Sequence, residues 1–497
     1  MKGKISSILK ETSQLMELSD QNQFKVKAFY NASNVVKTSP LALDDLIEQA
    51  SQKKIRGLGP QTLNAITEIV KTGGLKELQD LRSKFSPTYL EILKIKGLGV
   101  KTLRSLNLKL GVESIQDLEK LCLEGKLGET KGFGEKTQSN FLQAITLYKS
   151  FAGKLRLDQA SIFSNDLIEE IRKLNPKLKI QAAGQLKENC EIVEHLQLLA
   201  LTEDKINLGK FNDTELNVSS PTLLEGKGLN AIKLSIETTV NELEFKKKTE
   251  QSFKSAISTS DLKGILHVHT TYSDGADSLR TICQAAKDKG YQYIGISDHS
   301  KTASYARGLP VAIIKKQQEE IAKLNEELAP FQIFSGIESD ILADGSLDYP
   351  DDILENFDFI ISSIHSGFNI SKDEMTKRML SALENKYTTI LAHPTGRLLL
   401  EREGYQVDLE LLIKRAGELG KAIELNCNPK RLELDWRFHE LAKASKIQVP
   451  ISPDAHSIQN LDYVNWGVMI ANKGGLTPSD ILNCKTLNEI KDYLNIK

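Results

Sequence analysis

The chain has 497 residues, 40% hydrophobic and 26% charged, with 65 Lys and Arg against 66 Asp and Glu. That length leaves room for two or more domains with a large core, and the composition excludes a disordered or fibrous polypeptide. Five scattered cysteines without a CxxC pair, no signal-like segment and no long apolar run argue for a reducing cytoplasm, against secretion and against membrane insertion.

Charge is unevenly spread. Residues 1–150 carry 23 Lys and Arg against 16 Asp and Glu, so the first third is basic and the rest acidic. A basic segment suits a polyanion such as DNA, and a modest surplus also suits a solvated surface. Its amphipathic stretches, separated by short glycine-containing turns, predict an all-helical fold. Within them one pattern recurs three times: Ile55-Arg56-Gly57-Leu58-Gly59-Pro60, Ile95-Lys96-Gly97-Leu98-Gly99-Val100-Lys101 and Thr130-Lys131-Gly132-Phe133-Gly134-Glu135. Each copy has a basic residue, Gly-apolar-Gly, then a helix start. The paired glycines allow a tight turn and expose N–H groups at the head of the second helix, a ready point for a phosphate. The pattern resembles the helix-hairpin-helix, a sequence-independent binder of the DNA backbone. One copy could be a plain αα-turn; three in a basic segment make DNA the expected partner.

Residues 151–250 read as mixed α/β, with strand-like runs at 178–184 and 196–202. A polar, Lys-rich stretch at 246–262 predicts a helix and a linker. From 263 to 497 strand and helix signals alternate seven times, with strand ends near residues 269, 299, 340, 365, 394, 428 and 456 and helical patterns at 278–289, 311–328 and 434–446. That rhythm predicts parallel βαβ units closing into a barrel.

Six of the eight histidines sit at or near those strand ends, with carboxylates at matching places. The candidate metal ligands are His267, His269, Asp274, His299, Glu338, His365, His393, Asp454 and His456. Side chains of this type recurring at one place in successive units describe a single metal site at one mouth of a barrel. His267 alone would be as readily a satisfied polar residue; the series decides. Both rings of the HxH pair can face one ion only if the strand distorts after Leu266. His439 reads as a surface or packing residue. Mixed His and carboxylate donors suit Mn, Zn or Fe better than Mg alone. Paired metals in such a site lower the pKa of bound water and stabilise attacking and leaving oxygens.

The segments HVHTTYSDG, SDHS, GIESD, SIHS, HPTGR and PDAHS resemble the motifs of the polymerase-and-histidinol-phosphatase (PHP) domain. The resemblance implies a trinuclear metallophosphoesterase on a distorted (β/α)7 barrel. It implies that His267, His269, Glu338 and Asp454 hold one metal, that Glu338 bridges to a second completed by His365 and His393, and that Asp274, His299 and His456 hold the third. Three divalent ions are then expected, Mn first, with Glu338, Asp454 and Arg397 catalytic. Arg397, Arg307 and Lys301 are candidates to clamp phosphate oxygens.

The order of parts resembles the bacterial DNA polymerase X family, with NQFKVKAFYNAS (22–33) similar to its first helices. The chain then divides into a small helix-hairpin-helix domain (1–78), a fingers-like helical domain (79–150), a small α/β nucleotidyltransferase-like palm (151–250), a linker (251–262) and the PHP barrel (263–497). The DNA contacts would be Gly57, Gly59, Lys96, Gly97, Gly99, Lys101, Lys131, Gly132 and Gly134. In the family the palm carries a Gly-Ser motif and an Asp-x-Asp pair that binds two magnesium ions. Here Gln185 replaces the serine, Glu188 an arginine, and His195 and Gln197 the two aspartates. Nucleotidyl transfer needs hard anionic oxygens for Mg²⁺, which His195 and Gln197 cannot supply.

The expected function is therefore a DNA-binding metal-dependent phosphoesterase of DNA repair: a 3'-5' exonuclease, or an enzyme processing abasic sites or 3'-phosphates, with polymerase activity lost. Gapped, nicked or 3'-ended DNA is the expected substrate, and a cytoplasmic monomer the expected form. The alternatives are an active repair polymerase, with Glu191, Glu194 or Asp204 as substitute acids, a small-molecule phosphatase of the histidinol-phosphate type, and a non-enzymatic scaffold.

Overall fold

The computed structural model describes residues 2–39, 43–52, 54–55, 57–95, 97–203, 206, 233–250 and 256–496. Lys96, Arg56 and Asp204 thus lie outside the described residues. The chain divides into two compact units, residues 1–154 with 208–233 and residues 155–207 with 234–497.

Residues 2–154 of the first unit are helical wherever they form regular structure in their described part. Its helices begin where side chains can cap free N–H groups, as Asn22 does for Phe24, Ser86 for Tyr89 and Ser114 for Asp117. The helices Pro60–Thr72 and Val100–Leu110 stop at Gly73 and Gly111, both left-handed. One apolar core runs from Ile5 through Phe29, Ile66, Leu81 and Leu103 to Ile145. The boundary expected after residue 78 falls inside the helix Lys76–Arg82, whose Leu78 and Leu81 point into that shared core. Arg82 also grips Glu11 with two bonds of 2.7 and 2.8 Å.

In the second unit, β1 (Leu155–Arg156), β2 (Lys179–Ala183), β3 (Ile192–Val193), β4 (His195–Leu201) and β5 (Lys233–Thr239) make two small sheets, β1-β3 and β2-β4-β5. The helix Leu157–Leu174 buries Phe163, Leu167 and Ile171. Six further strands follow: β6 (Gly264–Val268), β7 (Tyr293–Ile296), β8 (Gln332–Asp340), β9 (Phe359–Ser363), β10 (Ile390–Leu391) and β11 (Ala422–Ile423). They form one parallel sheet in chain order. Runs such as YIGI and FIISS are buried at every residue, as a sheet covered on both faces requires.

After β11 the ladder is interrupted at Glu424. β12 (Leu425–Asn426) pairs instead with β13 (Ile451–Ser452). Just past β13, the Ala455 N–H donates to the His267 carbonyl (3.1 Å) and the His269 N–H to the Ala455 carbonyl (2.8 Å), so the sheet returns to β6. With β11 and β12 counted as one broken strand, seven strands close into the distorted (β/α)7 barrel. Near the starts of the strands Tyr293, Phe334 and Phe359 pack with Leu482, Ile490 and Leu494 of the C-terminal segment. A Cβ at Gly336 would come within 2.4 Å of the Phe359 ring, so only glycine lets that ring cross the barrel.

The described part of the expected linker belongs to the barrel's body. Ile257 and Leu262 are buried, and the N–H groups of Ala256 and Ile257 both donate to Asn472 Oδ1. Among the described residues no helix is long and apolar enough to cross a membrane.

Candidate metal centre and nucleic-acid contacts

The three Gly-apolar-Gly turns of the first unit share one geometry. The first glycine is left-handed each time, with φ of +94° at Gly57, +88° at Gly97 and +99° at Gly132. The second, Gly59, Gly99 or Gly134, is the extended residue that starts the helix Pro60–Thr72, Val100–Leu110 or Glu135–Phe151. The residue between donates its N–H back three positions, from Leu58 to Ile55, Leu98 to Ile95 and Phe133 to Thr130 (3.5, 3.1 and 2.9 Å). A side chain at the first glycine would be strained. At the second there is no strain, and a Cβ would meet nothing within 4 Å. Packing does not demand those glycines, and the missing side chain leaves the approach to the helix N-terminus open. Lys101 and Lys131 are exposed beside the second and third turns. The third turn is also tied to the far end of the helix Val100–Leu110 by Lys109, whose Nζ donates to the Lys131 carbonyl at 2.8 Å.

In the barrel, all nine candidate ligands gather at the C-terminal ends of the strands. Glu338 on β8, with its side chain 1% exposed, is the hub. Its Oε1 lies 3.3 Å from His365 Nε2 and 3.1 Å from His393 Nε2. Its Oε2 lies 3.5 Å from His267 Nε2, 3.6 Å from His269 Nε2 and 2.9 Å from His299 Nδ1. Asp454 Oδ1 lies 3.1 Å from His269 Nε2 and 3.6 Å from His267 Nε2. Asp274 Oδ1 lies 3.3 Å from His456 Nε2 and 3.6 Å from His299 Nε2. Three sets of donor atoms lie close enough to share an ion: His269, Asp274, His299 and His456; His267, His269 and Asp454; His299, Glu338 and His365. His269 and His299 each belong to two sets, so the pocket is continuous.

The backbone distorts where the HxH pair requires it. The β6–β7 register shifts between Ile265 and Val268, and His267 has a φ of +64°. Asp454, at +50°, is also left-handed. Such conformations are costly for non-glycine residues and persist where a site needs them.

The electrostatics favour a cation. Burial opposes charge on the carboxylates, but the surrounding imidazoles outweigh it, holding Glu338 and Asp454 well below their usual range and Asp274 at about 2. Burial likewise opposes charge on His365 and His456, yet Glu338 and Asp340 lift the one, and Asp274 and Asp454 the other, to about 9. His269 falls to about 3 through burial and the adjacent His456 and His299. The ligand atoms do not satisfy one another. Nε2 of His267, Nδ1 of His269, His299 and His393, and Oε2 of Glu338 are buried without a hydrogen-bond partner, the last and His299 Nδ1 being 2.9 Å apart but not aligned for a hydrogen bond. Each such atom costs about 1–3 kcal/mol when left bare. This donor set fits divalent metal ions.

Several supporting residues escape a reading by motif alone. Glu424 Oε2 lies 2.8 Å from His267 Nδ1, and its Oε1 accepts the His393 N–H at 2.8 Å. Asp340 Oδ1 lies 2.6 Å from His365 Nδ1. Buried Asp298 accepts the Thr270 N–H (2.8 Å), the Thr270 hydroxyl (2.7 Å), the Ser273 hydroxyl and Gln317 Nε2 (2.6 Å), which pins the loop carrying Asp274. The signal for Glu424 was a carboxylate inside an otherwise apolar strand (Ala422 to Leu425), which a strand buried on both faces would otherwise exclude.

The expected phosphate clamps fare differently from the ligands. Arg397 is already engaged by the carbonyl of Arg431 (2.8 Å), the carboxylate of Asp435 (2.6 Å) and the carbonyl of Leu432, so its guanidinium has little left for a substrate. Arg307 and Lys301 are exposed on the loop after β7. On that loop Tyr305, 69% exposed, sets its ring 6.2 Å from those of both His299 and His365. His439 is fully buried, so of the two readings open for it packing is the one observed.

At the palm-like positions, Gln185 Oε1 accepts the N–H groups of Glu194 and His195 (2.8 and 3.0 Å). Gln197 packs its amide against Gly184, where a Cβ would lie 1.8 Å from Oε1. Glu191 is buried against cations, 3.0 Å from Arg437 and 3.9 Å from Lys473. Among the described residues no three ligand-type groups gather there.

Comparison with known proteins places these parts. Residues 266–440 match the PHP domain family and residues 2–75 a helix-hairpin-helix domain family. Over 570 aligned positions the chain is 31% identical to the DNA polymerase/3'-5' exonuclease PolX of Bacillus subtilis strain 168, covering 99% of both chains. A probable phosphatase of Thermoanaerobacter sp. strain X514 is 26% identical over 249 residues, 48% of this chain and 96% of that protein. A crystal structure of histidinol phosphate phosphatase from Lactococcus lactis, complexed with zinc, L-histidinol and phosphate, is 17% identical with a TM-score of 0.35, covering 43% of this chain and 94% of that one.

Proposed function

The chain belongs to the family of the bacterial DNA polymerase/3'-5' exonuclease PolX, and on that footing we propose that it is a DNA-bound, metal-dependent 3'-5' exonuclease whose polymerase activity is lost. The observation that carries this reading is the barrel pocket, where nine ligand-type side chains converge and five of their buried polar atoms lack partners. Three divalent ions, Mn first and Zn or Fe as alternatives, would be held by His267, His269, Asp274, His299, Glu338, His365, His393, Asp454 and His456. When bound, they supply a water acidic enough to be deprotonated near neutral pH and positive charge against the phosphate.

The chain's own groups do the rest. Glu338 presents one oxygen to each half of the pocket. Glu424 and Asp340 hold the outer nitrogens of His267 and His365, leaving the inner ones for metal. The three hairpin turns offer backbone N–H groups, with Lys101 and Lys131, to DNA phosphates. Tyr305 offers an exposed ring on which the terminal base of a strand can stack. Nicked, gapped and 3'-ended DNA are the substrates this combination suits, and removal of a 3'-phosphate or cleavage at an abasic site would use the same pocket.

Loss of polymerase activity rests on the palm-like layer. His195 and Gln197 stand where two aspartates would be needed, and Glu191 is committed to Arg437. The alignment with PolX also spans 570 positions against 497 residues here, so the relative carries stretches that this chain lacks. A small-ester phosphatase, suggested by relatives that match only the barrel half, would have no use for three DNA-facing turns.

The test is direct. With Mn²⁺, the purified protein shortens 3'-ended DNA, and His267→Ala or Glu338→Ala abolishes this while the fold survives. Undiminished cleavage by both variants would mean that the pocket is misassigned.

A further inference from the structure

Two carboxylates of the pocket share one amide. The buried side chain of Asn426 donates from Nδ2 to Glu424 Oε1 at 3.0 Å and to Asp454 Oδ2 at 3.1 Å. Its Oδ1 accepts the Asn428 N–H at 3.1 Å. Chemistry fixes which way this amide points, since the carboxylates can only accept and the backbone N–H can only donate. The main chain of Asn426 is held as firmly. Leu425 and Cys427, on either side of it, donate their N–H groups to the carbonyls of Pro450 and Ser452 (2.9 and 2.7 Å), and its own carbonyl accepts the Glu433 N–H (3.2 Å). Asn426 therefore stands on the broken strand with neither its backbone nor its amide free to turn.

The two carboxylates reach different parts of the pocket. With Oδ2 taken by Asn426, Asp454 turns Oδ1 toward Nε2 of His269 and His267, 3.1 and 3.6 Å away. Glu424 Oε1 accepts the His393 N–H at 2.8 Å as well as the Asn426 amide, and its Oε2 lies 2.8 Å from His267 Nδ1. His393, whose φ is +21°, in turn sets its Nε2 3.1 Å from Glu338 Oε1 and its ring 5.4 Å from that of His365. One amide thus stands behind two clusters of donor atoms, that of His267, His269 and Asp454 and that of Glu338, His365 and His393. A lysine or arginine here could serve both carboxylates too, but would set a positive charge against the ions. An amide supplies two donors and no charge.

We propose that Asn426 is a positioning residue that presets two neighbouring metal positions together, one through Asp454 and the other through Glu424 and His393. This rests on the metal-binding reading of the pocket, and not on DNA as the substrate. Removing the amide frees both carboxylates to rotate, so both positions lose affinity, whereas removing a support of one ligand weakens one position.

The experiment titrates Mn²⁺ into EDTA-stripped, full-length wild type, Asn426→Ala, Asn426→Leu, Glu424→Gln and the double variant Asn426→Leu/Glu424→Gln. Calorimetry reads the affinities, and thermal melts in EDTA report the fold. Leucine roughly keeps the volume of asparagine without its donors, which separates hydrogen bonding from packing. We expect wild type to take up more than one ion per chain, and both Asn426 variants to melt cooperatively but to bind two successive ions about ten- to a hundredfold more weakly. The double variant should fall short of the product of the single effects, because Asn426 acts in part through Glu424. Affinities in Asn426→Leu within twofold of wild type overturn the proposal and leave the pocket's metal-binding reading intact, as does a weakening confined to one ion. Wild type that takes up no Mn²⁺ overturns both.

Discussion

Glu191 Oε1 lies 3.0 Å from Arg437 Nη1, and that same nitrogen lies 2.9 Å from Asp435 Oδ1. Asp435 Oδ2 in turn takes Arg397 Nη1 at 2.6 Å. Arg397 then holds the backbone of Arg431 and Leu432. A line of ion pairs thus runs from the palm-like layer to the edge of the metal-type pocket. Trp436 is flanked by Arg437 and Lys473, 4.6 and 4.7 Å from its ring, which braces the same segment.

Glu191→Gln should cost about 1–3 kcal/mol in stability, because Glu191 and its neighbour Lys473 are both nearly buried although Arg437 is largely solvated. It should nevertheless lower kcat/KM severalfold with metal content unchanged, since it loosens the segment 431–435 beside the pocket. Primer extension on the same preparations separates the polymerase alternative. Templated incorporation by wild type that disappears in Glu191→Gln would show that this acid serves an active palm.

Glu424→Gln tests how the imidazoles are aimed. A carboxylate on Nδ1 of His267 keeps the proton there and leaves Nε2 for metal, whereas an amide can accept or donate and fixes no tautomer. The expected outcome is a ten- to hundredfold weaker affinity for Mn²⁺ by titration with little change in thermal stability of the metal-free protein. Equal affinity would make Glu424 a packing residue.

The two tests also mark how far the sequence could be read. Ligands such as His299 and His393 were legible because each sits at the end of an apolar strand, a position that the repeating βαβ rhythm makes equivalent from unit to unit. The closure of the barrel was legible from the same rhythm. Tyr305 was not, because a loop residue carries no periodicity and its place beside His299 and His365 depends on how the loop folds. Arg397 shows the converse. Its place in HPTGR suggested a substrate contact, but a motif does not reveal that three protein acceptors surround the side chain. The single core shared by residues 5 to 145 was also hidden, since amphipathic helices declare an apolar face without declaring its partner.

The hairpin turns give a prediction in which stability and binding separate. Gly97→Ala places a Cβ on a residue with φ of +88° and should cost about 1 kcal/mol or more. Gly99→Ala, at φ of −85° with open space around it, should leave stability unchanged but weaken DNA binding, because the methyl obstructs approach to the helix N-terminus. Chemical denaturation and fluorescence anisotropy on a short duplex read the two effects. Lys101→Ala should reduce the salt dependence of binding by about one charge. Equal DNA affinity in Gly99→Ala and Lys101→Ala would reassign this turn to helix packing.

Tyr305→Ala should raise KM for DNA several- to a hundredfold while leaving hydrolysis of a small aryl phosphodiester unchanged. A base stacked on an aromatic ring is worth about 1–3 kcal/mol, and a substrate without a base cannot use it. Tyr305→Phe should behave as wild type, since the face of the ring and not its hydroxyl does the holding. A loss on both substrates would instead make the hydroxyl or the loop part of the pocket's own structure.

His439 provides a pH dependence separable from the metal ligands. Its ring is fully buried, with Nε2 3.3 Å from the Leu434 carbonyl and Nδ1 against Gly474, where a Cβ would intrude to 2.0 Å. Burial therefore pushes its pKa down to about 4. Unfolded, the same imidazole titrates near 6.5. Between those values the unfolded chain binds a proton that the folded chain does not, so stability rises with pH from about 4 to 6.5 and is lost on acidification. The full difference is about 3 kcal/mol. Urea unfolding in EDTA, at pH 7 and pH 4.5, should show wild type losing about 2 kcal/mol more than His439→Gln. The EDTA keeps the ligand histidines metal-free in both proteins, so their titration cancels in the comparison. Parallel losses in the two proteins would mean that the His439 ring accepts its proton without leaving the fold.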